Sequence, residues 1–469
     1  MIKNKFNTFT FQEKISEYIN KTRNEKSFLH NVLTITSGTV IAQAVTIAAS
    51  PILTRYYTPS EMGIIASLLG IVMIIGVVAS GRYELAVVLP EKESEAIAVV
   101  ILGVIIAGIS GLILTGVLAL FGHKIAPYIG LTNVPDCWLN IIGLMVFLIG
   151  IENVMNRFAI RNRHFKVLAA TQVTQQIGAN GIKIFLGILK SGVSGLFIGT
   201  LFGYVLRAIR LLWSEKAALF NKKKFPSYKD LVSVSKRYKK FPLISSWAGL
   251  LNTASTQIPV VLFATLFSPA AAGYYALSHR VLSLPMSLIG RSVGDVFFER
   301  AARVRENPEE LGRITLEISK KLLILGSFSM SIITFYGDIL FSFVFGEQWV
   351  EAGRYAQWIS IWLVLVFVSS PLSTVYLILE KQLEHLFFNI VMFLSRIGVI
   401  AFGAYYAFSD YEVIILFSIL GAVLWLVMCI RVLQIANVNA IKILTSIFLI
   451  IVPIYLLQYF LSVAVRSFF

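Results

Sequence analysis

Charged residues are scarce in this sequence of 469 residues. Asp, Glu, Lys and Arg make up 14% of the chain, whereas hydrophobic residues make up 57%. A soluble globular domain carries roughly 25% charged residues, so this composition argues against a soluble protein. The same hydrophobicity excludes a disordered chain. Cysteine is also rare, and the distant pair Cys137 and Cys429 cannot form a disulfide framework.

Motifs for catalysis and cofactor binding are missing from the sequence as well. It contains no Cys/His ligand cluster, no Walker-type glycine loop and no nucleophile elbow. We therefore expect no cofactor, no metal and no catalytic residue. A cleavable signal peptide is not visible, because the first thirty residues contain six basic residues and no apolar core. An uncleaved first transmembrane helix behind a basic leader fits this pattern better.

Long apolar runs fill most of the chain. A bilayer core of ~30 Å requires about 20 apolar residues per helix. The segments that meet this length are 31–53, 62–89, 95–121, 138–160, 167–189, 193–213, 242–267, 271–298, 321–345, 355–379, 386–408, 411–434 and 440–464. The last contains Pro453 and either spans the membrane once or forms a re-entrant hairpin. The predicted fold is an all-α polytopic membrane protein with 12–14 transmembrane helices.

The formal net charge of +16 resides mostly in alternate connections between these segments. The densest cluster of Lys and Arg lies at 222–240, between the sixth and seventh segments. By the positive-inside rule, the N-terminus and the even-numbered connections are cytoplasmic. Because the basic residues orient the helices in this way, we expect no nucleic-acid partner.

A short pattern recurs at the start of the second and eighth segments. Thr58-Pro59 and Gly63 are repeated as Ser268-Pro269 and Gly273, and Gly81-Arg82 is echoed by Gly290-Arg291. Turn chemistry alone also selects Pro and Gly, but matched positions in two halves favour a duplication of six helices. We predict a basic leader at 1–30, bundles at 31–213 and 242–434, a basic linker at 214–241 and a further hydrophobic segment at 435–469.

Polar residues form stripes on several apolar segments. In the fifth segment, a stripe of two glutamines, an asparagine and Lys183 follows helical spacing, so it occupies one face. Such stripes also hydrogen-bond helices together, but several of them across both halves favour a water-accessible cavity. The polar residues predicted to line it are Gln43, Gln172, Gln176, Asn180, Asn252 and Asn389.

A few cationic residues lie deep within the apolar segments. Arg280 and Arg396 are about ten residues, or ~15 Å, inside their helices, where an unpaired Arg costs at least ~2.5–3.5 kcal/mol. Arg binds phosphate through bidentate hydrogen bonds, so an anionic substrate such as a diphosphate is predicted. The candidate ligands are Arg82, Lys183, Arg280, Arg291 and Arg396.

Other roles for these cations remain open. Glu84 lies two residues from Arg82, and Asp295 lies one helical turn from Arg291, so either pair could be structural. Lys183 could extend its amine toward the membrane surface. Glu152 is a candidate carboxylate for ion coupling.

The run SPILTRYYTPSEMG at 50–63, followed by GRYELA at 81–86, resembles the opening of bacterial polysaccharide flippases. These belong to the multidrug/oligosaccharidyl-lipid/polysaccharide (MOP) exporter superfamily. The resemblance implies two six-helix bundles arranged as a V. It also implies that a glycan on undecaprenyl diphosphate crosses from the inner to the outer leaflet, with cationic residues of a central cavity holding the diphosphate.

The sequence therefore predicts a transporter of the bacterial inner membrane that works by alternating access in O-antigen or other surface polysaccharide biosynthesis. Its partners would be the lipid-linked oligosaccharide, membrane lipids and other polysaccharide assembly proteins. A cation-coupled multidrug exporter of the same fold is the first alternative, and a carboxylate-rich cavity would indicate it. A membrane glycan polymerase or ligase is the second, although the outer connections lack a large catalytic loop.

Overall fold

The computed structural model describes Thr34 and residues 36–130, 136–219, 226–286 and 290–466, and no β-strand occurs within those ranges. The predicted leader at 1–30 and residues 220–225 of the predicted linker lie outside them. The first helices are α1 (Thr36–Tyr56), α2 (Pro59–Gly76), α3 (Glu93–Ile125), α4 (Asp136–Arg161), α5 (Phe165–Ile188), α6 (Val193–Leu219) and α7 (Tyr228–Arg237).

The remaining helices run to the end of the chain. They are α8 (Ser246–Leu266), α9 (Pro269–Leu282), α10 (Arg291–Arg303), α11 (Pro308–Phe345), α12 (Val350–Leu372), α13 (Val375–Ile378), α14 (Gln382–Tyr405), α15 (Asp410–Ile435) and α16 (Ala440–Arg466). Short connections join neighbours that pack together, such as α3 with α4, α5 with α6, and α11 with α12. This is the antiparallel arrangement expected of a helical bundle.

Two predicted segments are interrupted. The segment 62–89 is α-helical only to Gly76. Turns follow, with positive φ angles of 61° and 59° at Gly81 and Arg82, which no α-helix contains, and then a short 3-10 helix at Tyr83–Ala86. The segment 271–298 is divided between α9 and α10. Pro285 lies between these helices, and it lacks the backbone N–H that a continuous helix would require.

The C-terminal segment is one helix. α16 runs without a break from Ala440 to Arg466, although Pro453 lies inside it, and it packs against α11 and α15. The structure therefore has one unbroken helix here, long enough for a single span, and not a re-entrant hairpin.

Eleven helices of the described chain are long and apolar enough to cross a membrane, judged by length and composition alone. They are α1 to α4, α6, α8, α11, α12, α14, α15 and α16. The span of α12 continues through α13. Two predicted spans fall short of this standard: α5 is long enough but too polar, and α9 has only 14 residues. These two helices carry Lys183 and Arg280.

The apolar cores follow the order of the chain. Two buried clusters are built from residues of α1 to α7 and their connections, and a third from residues between Val260 and Ile443. Met62 and Ala66 of α2 pack against this third cluster. Helix α2 thus connects the N-terminal half to the C-terminal half.

The repeated Pro-Gly segments contact each other. Thr58 caps α2 through a capping box with Glu61, and Ser268 caps α9 by accepting from the Ala271 N–H at 3.1 Å. Five residues after each cap, Gly63 and Gly273 lie where the helices cross. A Cβ on either glycine would clash with the carbonyl oxygen of the other helix's first Pro, so only glycine permits this approach.

Candidate functional site

Two polar cavities adjoin within the bundle. The first, about 270 Å³, contains Lys183 and is named here the Lys183 cavity. The second, about 520 Å³, contains Arg82 and is named the Arg82 cavity. Met73 of α2 and Tyr204 of α6 line both cavities, so these two side chains form part of the wall between them.

The Lys183 cavity lies between the halves of the chain. Helices α1, α2, α5 and α6 form most of its wall, and α9 closes it with Gly273, Leu277 and Arg280. Lys183 and Arg280 both line it, so two positive charges share one cavity. No Asp or Glu occurs among the described residues that line this cavity, so both positive charges lack an acidic neighbour in its wall.

The position of Lys183 follows from the packing around it. The Tyr57 hydroxyl donates to the Lys183 carbonyl oxygen at 2.7 Å, which fixes this turn of α5 to the end of α1. On the other side, Gly199 allows α6 to approach the backbone and side chain of Lys183 closely. The Arg280 side chain is solvent-accessible because it lines the cavity, although its helix lies within the bundle.

The predicted stripe of α5 divides between packing and the cavities. Gln172 and Gln176 accept hydrogen bonds from Thr39 at 2.9 Å and Thr46 at 3.0 Å, so they join α5 to α1. Gln172 also lines the Arg82 cavity and Gln176 the Lys183 cavity. Asn180 lines the Lys183 cavity, is 5% exposed, and its Nδ2 has no hydrogen-bond partner among the described residues. This amide therefore keeps an unused donor beside the cavity.

The other predicted polar residues lie apart from both cavities. Gln43 is half-buried on α1, and Asn252 and Asn389 are exposed on α8 and α14. None of these three belongs to the described lining of either cavity. Their predicted role in the cavity stays a prediction.

Arg82 is paired with an acid. Its Nη1 lies 3.4 Å from Glu84 Oε1, and Glu84 Oε2 accepts from the Ser80 hydroxyl at 2.6 Å. The ion pair considered from the sequence is therefore present. A Cβ added to Gly249 of α8 would lie 3.1 Å from Arg82 Cζ, so the guanidinium also reaches the C-terminal half of the chain.

Glu152 pairs with Arg207, a residue that the sequence analysis did not identify. Arg207 Nη1 forms an ion pair with Glu152 Oε1 and donates to Gln175 Oε1 at 2.9 Å. Glu152 lines the Arg82 cavity and Gln175 the Lys183 cavity. The signal was available, since Arg207 and Arg210 are the two charges within the apolar segment 193–213 of α6, but the partner of Arg207 on α4 was not evident from spacing.

Arg396 lies in a separate place. Its guanidinium contacts the faces of Trp362 and Phe417, with ring centroids 5.5 and 6.0 Å from Cζ, and donates to the Ser255 carbonyl at 3.3 Å. The space beside it is only about 10 Å³. The structure does not bring Arg396 together with Lys183 and Arg280 in one cavity.

Arg291 is the first residue of α10, and its side chain lies outside what the structure describes. Its predicted roles in substrate binding and in a pair with Asp295 stay predictions. Within the described ranges, no group of three His, Cys, Asp or Glu residues could hold a metal ion.

These helices and cavities define a multi-pass α-helical membrane protein with a polar chamber between its two halves. Residues 52–354 match the polysaccharide biosynthesis protein family over more than half of the chain. The protein belongs to that family. Teichuronic acid biosynthesis protein TuaB of Bacillus subtilis is 24% identical over 241 residues, and the alignment spans 50% of this chain and 49% of that relative.

Solved structures show the same fold. The lipid II flippase MurJ in an inward closed conformation aligns over 92% of this chain and 99% of its own, with a TM-score of 0.64 and 14% identity. A MOP superfamily transporter from Pyrococcus furiosus aligns over 87% of this chain and 96% of its own, with a TM-score of 0.52 and 14% identity. The predicted all-α MOP fold is confirmed.

Proposed function

We propose that this protein moves an undecaprenyl-diphosphate-linked oligosaccharide from the cytoplasmic to the periplasmic leaflet of the bacterial inner membrane. The glycan would serve O-antigen or another surface polysaccharide, and the cycle would proceed by alternating access. Membership of a polysaccharide biosynthesis family supports the saccharide part of this proposal. The arrangement of charge in the Lys183 cavity supports the diphosphate part.

The observation that carries the proposal is a pair of cations without an acid. Lys183 and Arg280 share a cavity whose described lining has no carboxylate. Ionisable residues inside membrane helices are retained for a function or a partner, and a diphosphate would neutralise both cations. The free Nδ2 of Asn180 would donate to the same ligand.

The remaining parts of the cycle are assigned by the same proposal. The prenyl chain stays in lipid while the head group occupies the chamber, and the two bundles at 31–213 and 242–434 rock against each other. Pro51 lies inside α1, Pro259 inside α8, and Pro285 between α9 and α10, so these are the candidate bending points. The N-terminus is cytoplasmic, and Glu152 is the candidate carboxylate for ion coupling.

The test uses alanine variants in a strain that lacks the native gene. Arg280→Ala and Lys183→Ala are expected to reduce surface glycan at least about tenfold, because each removes a charge-assisted contact to the diphosphate. Lys320→Ala, on the exposed surface of α11, is the matched control and keeps full activity. Lipid-linked glycan is measured in the inner leaflet, with protein level checked by immunoblot.

Unchanged glycan assembly by both cavity variants at normal expression would reject the cavity as the substrate site. Resistance to cationic drugs in cells that express the wild-type protein, with no change in lipid-linked glycan, would indicate a multidrug exporter instead.

A further inference from the structure

The wall between the two cavities contains an incompletely satisfied ion pair. Arg207 and Glu152 are 11% and 13% exposed at their side chains. Arg207 Nε and Glu152 Oε2 are both buried and without a hydrogen-bond partner among the residues described. Buried polar atoms are normally satisfied, and a buried pair repays its desolvation cost only when the remaining donors and acceptors are also bonded. This pair is therefore poorly suited to a purely structural role.

The neighbours of the pair place it on the path between the cavities. The carboxylate of Glu152 faces the Arg82 cavity, and Gln175, which also accepts from Arg207, faces the Lys183 cavity. Tyr204, one turn before Arg207 on α6, lines both. A head group that passes from the Arg82 cavity to the Lys183 cavity has to pass this wall.

The balance of charge also differs between the two cavities. The lining of the Arg82 cavity contains Arg82 and Arg157 together with Glu84 and Glu152, whereas that of the Lys183 cavity contains two cations. Glu84 is already bonded to Arg82 and Ser80. Among the described lining of the Arg82 cavity, Glu152 is thus the carboxylate that keeps an oxygen without a hydrogen-bond partner.

We infer that Arg207 is a second anion-binding residue of the transport path and that Glu152 occupies it until a phosphate group takes its place. A phosphate presents several oxygens to a guanidinium and satisfies more of its donors than the carboxylate does, including Nε. The exchange moves the anion from the Arg82 cavity, in which positive and negative residues are equal in number, toward Lys183 and Arg280. This inference rests on the proposed function, because it takes a diphosphate as the ligand.

The test measures binding of farnesyl diphosphate, a soluble prenyl diphosphate, to the full-length protein in lipid nanodiscs. Glu152→Gln is expected to tighten binding several-fold, because it removes the competing charge. Arg207→Gln is expected to weaken it at least about tenfold. The double variant should bind as weakly as Arg207→Gln, because the gain requires the guanidinium. Arg207→Lys keeps the positive charge but loses the bidentate guanidinium, so its affinity should lie between those of the wild type and Arg207→Gln.

The exposed pair Arg431 and Glu384 provides matched controls, and Glu384→Gln and Arg431→Gln should leave binding unchanged. A purely structural ion pair cannot give opposite effects on binding for Glu152→Gln and Arg207→Gln. Removing either partner of such a pair would destabilise the fold in the same direction. Melting temperatures without ligand identify any variant that fails to fold.

Two results would overturn the inference. The first rejects only the exchange on Arg207, and the second also rejects the proposed function. If Arg280→Ala weakens binding while the variants at 152 and 207 both weaken it or both leave it unchanged, only the exchange on Arg207 is wrong. If the wild type does not bind the diphosphate, or binds it independently of Arg280, the proposed function is rejected as well.

Discussion

Two arginines that lie at similar depth in their helices have different surroundings. Arg396 is held between the faces of Trp362 and Phe417 and bonds to the Ser255 carbonyl, whereas Arg280 is exposed toward a cavity. A desolvated cation–π contact contributes up to about 2 kcal/mol. We therefore expect Arg396 to stabilise the helix packing and Arg280 to contribute little to it.

Replacing Arg396 by Leu is expected to lower the free energy of unfolding by about 1–2 kcal/mol, and Arg396→Lys should recover part of that loss. Arg280→Leu should leave the melting temperature of the detergent-solubilised protein unchanged, since this side chain is exposed toward the cavity. Scanning fluorimetry measures both effects. A stable Arg396→Leu protein that no longer binds farnesyl diphosphate would instead support the substrate role predicted from depth.

Depth and helical spacing identified part of the candidate site. They selected Lys183 and Arg280, which the structure brings to one cavity. They did not identify Arg207, because its partner Glu152 lies on another helix and sequence distance does not report such a contact. They could not separate Arg396 from Arg280 either, because the aromatic rings that enclose Arg396 come from α12 and α15.

The close crossing of α2 and α9 depends on two glycines, so replacing either of them should destabilise this helix pair. Gly63→Ala and Gly273→Ala each push a methyl group into the facing backbone, and overpacking of this kind costs about 1–3 kcal/mol or more. Gly116→Ala on α3 is the matched control, because nothing lies within 4 Å of its added Cβ, and it should be neutral or slightly stabilising. Fluorescence-detected size exclusion after heating compares the three variants.

Equal stability of all three proteins would show that the helices can separate by the width of a methyl group at no cost. A loss confined to Gly63→Ala and Gly273→Ala would confirm that the crossing is tight in the dominant state.

Helix starts were easier to predict from the sequence than helix ends. Thr58-Pro59 and Ser268-Pro269 mark the starts of α2 and α9, because a hydroxyl cap and a Pro in the first turn act locally. The end of α2 at Gly76 was not evident, since the apolar run continues to Leu89. The left-handed backbone conformation of Arg82 cannot be recognised from hydropathy. The bounds of α4 and α15 agree closely with the predicted segments.

On the scale of the whole molecule, the end of α1 is tied to the C-terminal half. Gln348 Nε2 and Trp349 Nε1 both donate to the Thr54 carbonyl oxygen, at 2.6 and 3.0 Å. The α2–α9 crossing lies near the same end of the bundle, since α1 and α2 are joined by the short turn at Tyr57 and Thr58. Alternating access requires contacts of this kind to break when the chamber opens at this end.

The combined variant Gln348→Ala/Trp349→Phe removes both donors and is expected to favour the state that is open at this end. A cysteine at Asn180, in a background without Cys137 and Cys429, would then react several-fold faster with an impermeant thiol reagent added to spheroplasts. Gln357→Ala, which loses a hydrogen bond to Asp338 within the C-terminal half, is the control. An unchanged labelling rate would mean that these bonds do not restrain the opening.

The single helix α16 predicts the positions of the chain ends. With an N-terminus in the cytoplasm, the thirteenth span brings the C-terminus to the periplasm. A C-terminal alkaline phosphatase fusion should be active, and a C-terminal green fluorescent protein fusion dark, whereas fusions inserted at 220–225 should give the reverse. A bright C-terminal fluorescent fusion would contradict either the orientation or the thirteenth crossing.

The polarity of α5 and the shortness of α9 also bear on how the protein enters the bilayer. Neither helix meets the length and hydropathy that the other eleven spans have, so neither is expected to insert efficiently by itself. Helix α5 packs on α6, and α9 on α2, α8 and α12, so these neighbours have to shield their polar groups during biosynthesis. The residues that would attract the substrate thus make two helices depend on the rest of the chain for integration into the membrane.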